Sequence, residues 1–154
     1  MAKSKFEYVK KFELNDSLLP NTCDNGTVSG NILTRRPLIL LHGPRFSDVH
    51  DFKKPNDKNA LDLMNKCAEC VMNNVHDVLL SYGQSDEYSF VLNKECNLYD
   101  RRESKIVSTI VSLFTSSYVF YWKNFFPDQE LQYPPSFDGR LVQYPSDTNL
   151  RDYL

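Results

Sequence analysis

The sequence predicts an α+β domain, an antiparallel sheet packed against helices, and three features predict it. Apolar residues recur at helical spacing from Ala60 and again from Glu103; two β-prone runs between those stretches are joined by a short polar connector; and another strand-like run follows the second helix. The chain has 154 residues, of which 41% are hydrophobic and 25% charged, enough apolar content for one modest globular domain and too much for a disordered one.

The first helix is marked by Leu61, Met64, Cys67, Ala68, Val71, Met72 and Val75, spaced three and four apart as on one buried helical face. Lys54-Pro55-Asn56-Asp57 punctuates its start, because Asn56 or Asp57 can accept an amide hydrogen bond from the first turn and Pro55 cannot extend the helix backward. Asn73-Asn74 ends it. Val78 to Tyr82 and Tyr88 to Leu92 then read as a hairpin across the polar connector Gly83 to Glu87. The second run alternates, with Tyr88, Phe90 and Leu92 on one face.

Glu103 to about Phe125 repeats the helical pattern through Ile106, Ile110, Leu113, Phe114, Ser117, Tyr118 and Tyr121, a long and well-buried second helix. Three prolines between Phe126 and Arg140 (Pro127, Pro134, Pro135) interrupt regular structure, and Leu141 to Tyr144 resumes as a strand. Ser146 or Asp147 is placed to cap one more helix, barely begun at Leu154, so the domain is expected to be incomplete. Thr22 to Pro44 shows neither helical nor alternating periodicity. It is expected to be a poorly ordered, atypical insert, although Leu38 to Leu41 has the makings of a short strand.

Composition excludes several functions. Lys and Arg number 18 against 20 Asp and Glu, a net charge of -2, so any nucleic-acid contact must use local basic patches. No apolar run approaches the roughly 18 residues of a membrane span, and Met1 to Lys11 has no apolar core of a secretory signal. The chain reads as cytoplasmic, with the nucleus or the mitochondrion as alternatives. Cys23, Cys67, Cys70 and Cys96 are too few and scattered for a disulfide framework, and Cys67 and Cys70 lack a second ligand pair for zinc. His42, His50 and His76 have no matching nucleophile, and neither a GxxxxGK[ST] loop nor a GxGxxG loop is present.

Three places can carry chemistry, each with a plainer reading beside it. Asp86-Glu87, at the tip of a hairpin, suits divalent-metal ligation; polar residues also simply populate turns. Arg101, Arg102 and Lys105 crowd the positive end of the long helix, an arrangement that invites a phosphate on the first-turn amides, unless Asp100 and Glu103 compensate the cations. Lys53-Lys54 precedes the Asn56-Asp57 cap and can reach a phosphate near that helix start, or stand in a solvated turn.

Met1 to Val9, Lys54-Pro55-Asn56-Asp57, Gly83-Gln84-Ser85-Asp86-Glu87-Tyr88-Ser89-Phe90, Ser116 to Trp122 and Tyr133 to Arg140 together resemble the eukaryotic tRNA-His guanylyltransferases, from residue 1 to 21 and again from about Arg45 onward. The resemblance implies a palm-like, ferredoxin-like catalytic domain over residues 1–154, here truncated, that carries two magnesium ions. It implies a nucleotidyltransferase that adds a guanosine to the 5′ end of tRNA-His in the 3′ to 5′ direction, using ATP to activate the 5′ phosphate and GTP as the nucleotide added. It implies tRNA-His as partner and a homo-oligomer.

By motif, Asp86 resembles the family's metal-bridging carboxylate, Ser85 a nucleotide contact, and Glu87 a supporting acid of the same turn. Arg102 and Lys105 resemble the triphosphate-binding residues, and Lys54, Asn56 and Asp57 a motif near a second nucleotide site. The family also has an apolar strand running into Asp-Gly-Arg-x-Phe-His, whose Asp is the other bridging carboxylate. Thr22 to Pro44 stands in its place, with Pro44 at the His position, so impaired metal binding is expected. The alternative is a non-catalytic palm-like remnant that binds nucleotide or tRNA.

Overall fold

A computed structural model of the chain describes the backbone of residues 36–42 and all of residues 49–154. Among these residues the elements run β1 (Arg36–His42), α1 (Lys58–Asn74), β2 (Val78–Gln84), β3 (Glu87–Leu92), α2 (Glu103–Phe125), β4 (Asp138–Tyr144) and α3 (Asp147–Tyr153). The sheet order is β2-β3-β1-β4 and every neighbouring pair is antiparallel. This βαββαβ order with split crossovers is the ferredoxin-like arrangement, and the α+β, palm-like expectation is met.

The segment expected to be a poorly ordered insert contains the central strand. Residues 36–42 pair with β3 on one side, Leu38 opposite Val91 to His42 opposite Glu87, and with β4 on the other, Arg36 opposite Tyr144 to His42 opposite Asp138. A strand paired along both edges sits inside the sheet, where a continuous apolar run replaces the alternation sought in the sequence. The rest of Thr22 to Pro44, Cys23 and Asp24 included, lies outside the described residues, as does the Met1 to Val9 motif.

Both long helices cover one face of the sheet. Asp57 caps α1: its Oδ1 accepts the amides of Asn59 at 2.9 Å and Ala60 at 3.3 Å, and its Oδ2 accepts that of Lys53 at 3.1 Å. Leu63, Met64, Cys67, Ala68 and Val71 are the buried stripe of α1, and Ile106, Ile110, Phe114, Tyr118 and Trp122 that of α2. Between them and the sheet lie Tyr88, Phe90 and Leu92, the predicted face of β3. Phe114 meets Phe90 edge-on at 6.0 Å and the half-buried Phe137 at 5.0 Å, and fully buried rings such as Phe90 and Phe114 each contribute about 1.5–3 kcal/mol by leaving water.

The other sheet face carries a smaller cluster, Val91, Val142, Tyr144 and Leu150, with Tyr153 and Leu154 against it. Of the two candidate caps for α3, Ser146 is the one used, its Oγ accepting the Asn149 amide at 3.2 Å. The proline-rich connection from Phe126 to Phe137 is fixed by aromatic packing. His50, 1% exposed, lies against Phe52, Trp122 and Tyr133. Its Nε2 accepts the Gln132 amide at 3.1 Å, and Trp122 Nε1 donates to the Gln129 carbonyl at 2.8 Å. These contacts tie the connection to the end of α2. Cys67, Cys70 and Cys96 are free thiols, and burial pushes that of Cys67 up to about 12. No helix among the described residues is long and apolar enough to cross a membrane.

Candidate functional site

The strands of the hairpin run closer to its tip than the sequence suggested: β2 continues to Gln84 and β3 begins at Glu87, leaving Ser85-Asp86 as a two-residue turn. Ser85 has φ 57°, the positive value that a tight hairpin turn of right-handed twist requires at one of its central residues. Below the turn, Gly83 and Tyr88 are partners across the ladder. A Cβ on Gly83 would stand 2.5 Å from Tyr88 Cε2, so only glycine admits the ring at this place.

The turn forms one wall of a cleft that is open to solvent at its mouth. The opposite wall is the approach to α1, Lys53-Lys54-Pro55-Asn56-Asp57. Ala60, Leu61 and Met64 of α1, with Tyr118 of α2, make an apolar floor, and Phe52, Pro135 and Phe137 complete it. The structure thus brings two separately predicted motifs, Lys54-Asn56-Asp57 and Ser85-Asp86, to a single site. Burial holds the Tyr118 phenol well above its ordinary range, so that the floor presents a neutral group. Asp57 is held below the ordinary carboxylate range: its slight burial acts to raise it, and the backbone amides of Lys53, Ala60 and Asn59 overcome that.

Three predicted site residues lie elsewhere. Glu87 is the first residue of β3 and belongs to a different recess, with Tyr82, Gln84, Ser89, Tyr153 and Leu154, whereas its neighbour Asp86, in the turn, lines the cleft. Arg102 and Lys105 stand at the start of α2, whereas Tyr118 is the α2 residue that lines the cleft. Sixteen helical residues correspond to about 24 Å along the axis, so the expected grip on one ligand by Asp86 and Arg102 is not formed within the chain. Arg102 Nε instead donates to the Tyr99 carbonyl at 3.1 Å, and its Nη2 lies 3.8 Å from Asp100.

A two-magnesium centre calls for several oxygen donors around one point. Asp86 and Asp57 are the carboxylates on the cleft, and both oxygens of Asp57 are taken by backbone amides. Among the described residues no group of three His, Cys, Asp or Glu is placed to hold a metal ion. The donor set described does not make such a centre. The first strand, expected to be replaced, is nonetheless present as β1; the departure lies within it, because with Pro44 at the His position Ile39-Leu40 stands where the resemblance implies Asp-Gly.

The apolar floor was missed in the sequence because Met64 and Tyr118 repeat at core spacing and nothing in that spacing separates a cleft floor from a core stripe. The signal available was Pro135-Ser136-Phe137, within a motif of the resemblance and now lining the cleft.

Comparison with known proteins places this architecture. Residues 39–145 match the family model described as Thg1: tRNAHis guanylyltransferase, beginning inside β1. The chain is 51% identical over 154 residues to the probable tRNA(His) guanylyltransferase of Mus musculus and 53% identical over 156 residues to the tRNA(His) guanylyltransferase of Neurospora crassa, in each case over 100% of this chain and 48% and 50% of the relative. It therefore spans about half the length of these curated relatives. The crystal structure of the Saccharomyces cerevisiae enzyme superposes with a TM-score of 0.73 at 38% identity, covering 97% of this chain and 62% of that one. A bacterial Thg1-like protein in complex with GTP shares the fold, with a TM-score of 0.60 at 22% identity over 73% of this chain and 55% of that one. With the family match spanning β1 to β4 and the two motifs meeting at one cleft, the chain belongs to the tRNA-His guanylyltransferase family.

Proposed function

We propose that the cleft between α1 and the β2–β3 turn takes a purine nucleoside triphosphate, GTP or ATP, and that the chain serves the addition of a guanosine to the 5′ end of tRNA-His in the 3′ to 5′ direction. One observation carries this: the Lys54-Asn56-Asp57 and Ser85-Asp86 motifs, far apart in sequence, face each other across an apolar floor. Such a floor with a polar rim suits a planar base below and a charged chain above. Lys53 and Lys54 supply positive charge at the rim for phosphate oxygens, Asn56 and Ser85 neutral polar contacts, and Asp86 a carboxylate at the reacting end.

Arg102 and Lys105 are assigned to a separate phosphate contact, at the far end of α2. Glu87 is assigned a supporting part through its pairing with Gln84 at the base of the turn. A homo-oligomer would set the start of α2 of one copy near the cleft of another and gather basic patches for tRNA, and a cytoplasmic setting fits that substrate.

The test is incorporation of labelled GTP into 5′-phosphorylated tRNA-His in the presence of ATP and magnesium, with Asp86→Ala as control. Incorporation above that control supports the transferase reading, and none above it overturns it for this chain. The sparse metal donors favour a second reading, a palm-like module that binds nucleotide or tRNA without turnover. Under it, GTP binding persists while incorporation stays at the control level.

A further inference from the structure

The Ser85-Asp86 turn can serve the cleft only if something fixes it relative to α1, which carries the opposite wall. The sheet alone does not do this. β2 is an edge strand, and the turn projects beyond the last paired residues, Gln84 and Glu87. The nearest residue reaching back from the hairpin to the helix is Tyr88. It is 7% exposed, its ring lies over the Cα of Gly83 and against Phe90 (5.4 Å) and Phe114 (5.7 Å), and its hydroxyl donates to Oδ1 of Asn65 on α1 at 3.0 Å. Asn65 lies about two helical turns beyond the Asp57 cap.

We infer that Gly83, Tyr88 and Asn65 form a positioning clamp that sets the gap between the two walls of the cleft. The chemistry of the residues points this way. Phenylalanine would supply all the ring packing of Tyr88, so the packing alone does not call for the hydroxyl. The phenol lies in hydrogen-bond contact with the Ser81 hydroxyl of β2, and it gives its own proton to Asn65, on the helix that bears the other half of the site. Gly83 is the complementary part: without a Cβ it lets the ring lie flat on the strand, one residue from the paired end of the hairpin. Asp86 is held over the cleft through these contacts; none of the three residues need touch a ligand.

The inference deepens the nucleotide reading and rests on it, so the test has one arm that uses GTP and one that does not. In the first, GTP dissociation constants are measured for the parent chain, Tyr88→Phe, Asn65→Leu and Asn65→Asp, with thermal melts on the same samples. Tyr88→Phe and Asn65→Leu should each weaken binding about fivefold, while melting falls by less than about 4 °C. Asn65→Asp, which keeps an acceptor for the hydroxyl, should bind like the parent, a rescue that a bulk packing role does not give. In the second arm, amide hydrogen exchange at Ser85, Asp86 and Glu87 should quicken in Tyr88→Phe and Asn65→Leu without any nucleotide present.

Affinities within twofold of the parent and unchanged exchange at the turn overturn the clamp. A parent chain that binds no GTP overturns the nucleotide reading alone. The exchange arm then decides, quickened exchange sustaining the clamp and unchanged exchange ending it. Gly83→Ala, expected to displace the ring and weaken GTP at least tenfold, is the harsher variant, and Tyr88→Phe keeps the question answerable if it does not fold.

Discussion

The two long helices begin in opposite ways. The start of α1 is closed: Asp57 accepts three backbone amides, Lys58 of the first turn is paired with Asp62, and Lys53 and Lys54 stand before the cap, on the same cleft as the Ser85-Asp86 turn. The start of α2 has Arg102 at the cap position with no side-chain cap bond, after three residues of positive φ, Tyr99, Asp100 and Arg101. Arg101 is turned inward, its Nη1 donating to the carbonyls of Lys94 and Cys96. Each start has the local chemistry to hold a phosphate. Topology decides which one shares a site with Asp86. In the βαββαβ order α1 begins and α2 passes Tyr118 at the end of the sheet where the β2–β3 turn lies, and the start of α2 is left at the other end.

The sharpest way to break this contrast is to fill the cleft. Ala60→Trp puts an indole on the floor and should weaken GTP binding more than tenfold, whereas Lys105→Ala should change it less than threefold. Equilibrium titration of both variants checks this. If Lys105→Ala proves the more damaging in the monomeric chain, the ligand sits at the start of α2 and the assignment of the cleft fails; the same result confined to an oligomer would place that start against the cleft of a second copy.

Next in size is the cap. Asp57→Ala should cost about 0.5–2 kcal/mol of stability, read by urea or thermal melts, because two first-turn amides lose their acceptor. Asp57→Asn should cost less, since an amide oxygen still caps. The same carboxylate sets an acid limb. Its folded value lies below its ordinary 3.8, so the stability it adds is complete above that value and is lost as pH falls through the lower folded one. Melting temperature followed below pH 4 should therefore fall less steeply for Asp57→Asn than for the parent. Equal slopes would show that the cap does not titrate as its amide contacts require.

The sequence spoke clearly where one residue and its near neighbours decide the outcome. A cap at Asn56 or Asp57, the start of α2 at Glu103 and the alternation of Tyr88, Phe90 and Leu92 each depend on contacts a few residues apart; the cap falls on Asp57, and the other two are found. β4 begins at Asp138, three residues ahead of the apolar run, because pairing with β1 extends it through Gly139 and Arg140. What stayed hidden depends on long-range pairing. β1 is a strand because β3 and β4 flank it, from about fifty and one hundred residues away, and its own residues show no period. The distance from Asp86 to Arg102 was equally out of reach: sixteen residues in sequence say nothing of a strand running one way and a helix running back.

A smaller effect of opposite sign is expected at the start of α2. Arg102→Ser supplies the side-chain acceptor that this position lacks and removes a cation from the positive end of the helix, so it should stabilise the chain by about 0.5–1 kcal/mol. The smallest effect is the most discriminating. If the two starts are separate, the double variant Asp57→Ala with Arg102→Ser should show the sum of the single changes to within about 0.5 kcal/mol, since distant sites without shared partners add. The helices pack against each other through Cys67, Val71, Ile110 and Phe114, so additivity is not guaranteed by their being on different elements. A coupling above about 1 kcal/mol would mean that the two ends respond to one another through that packing. The start of α2 would then have to be counted as part of the cleft it stands away from.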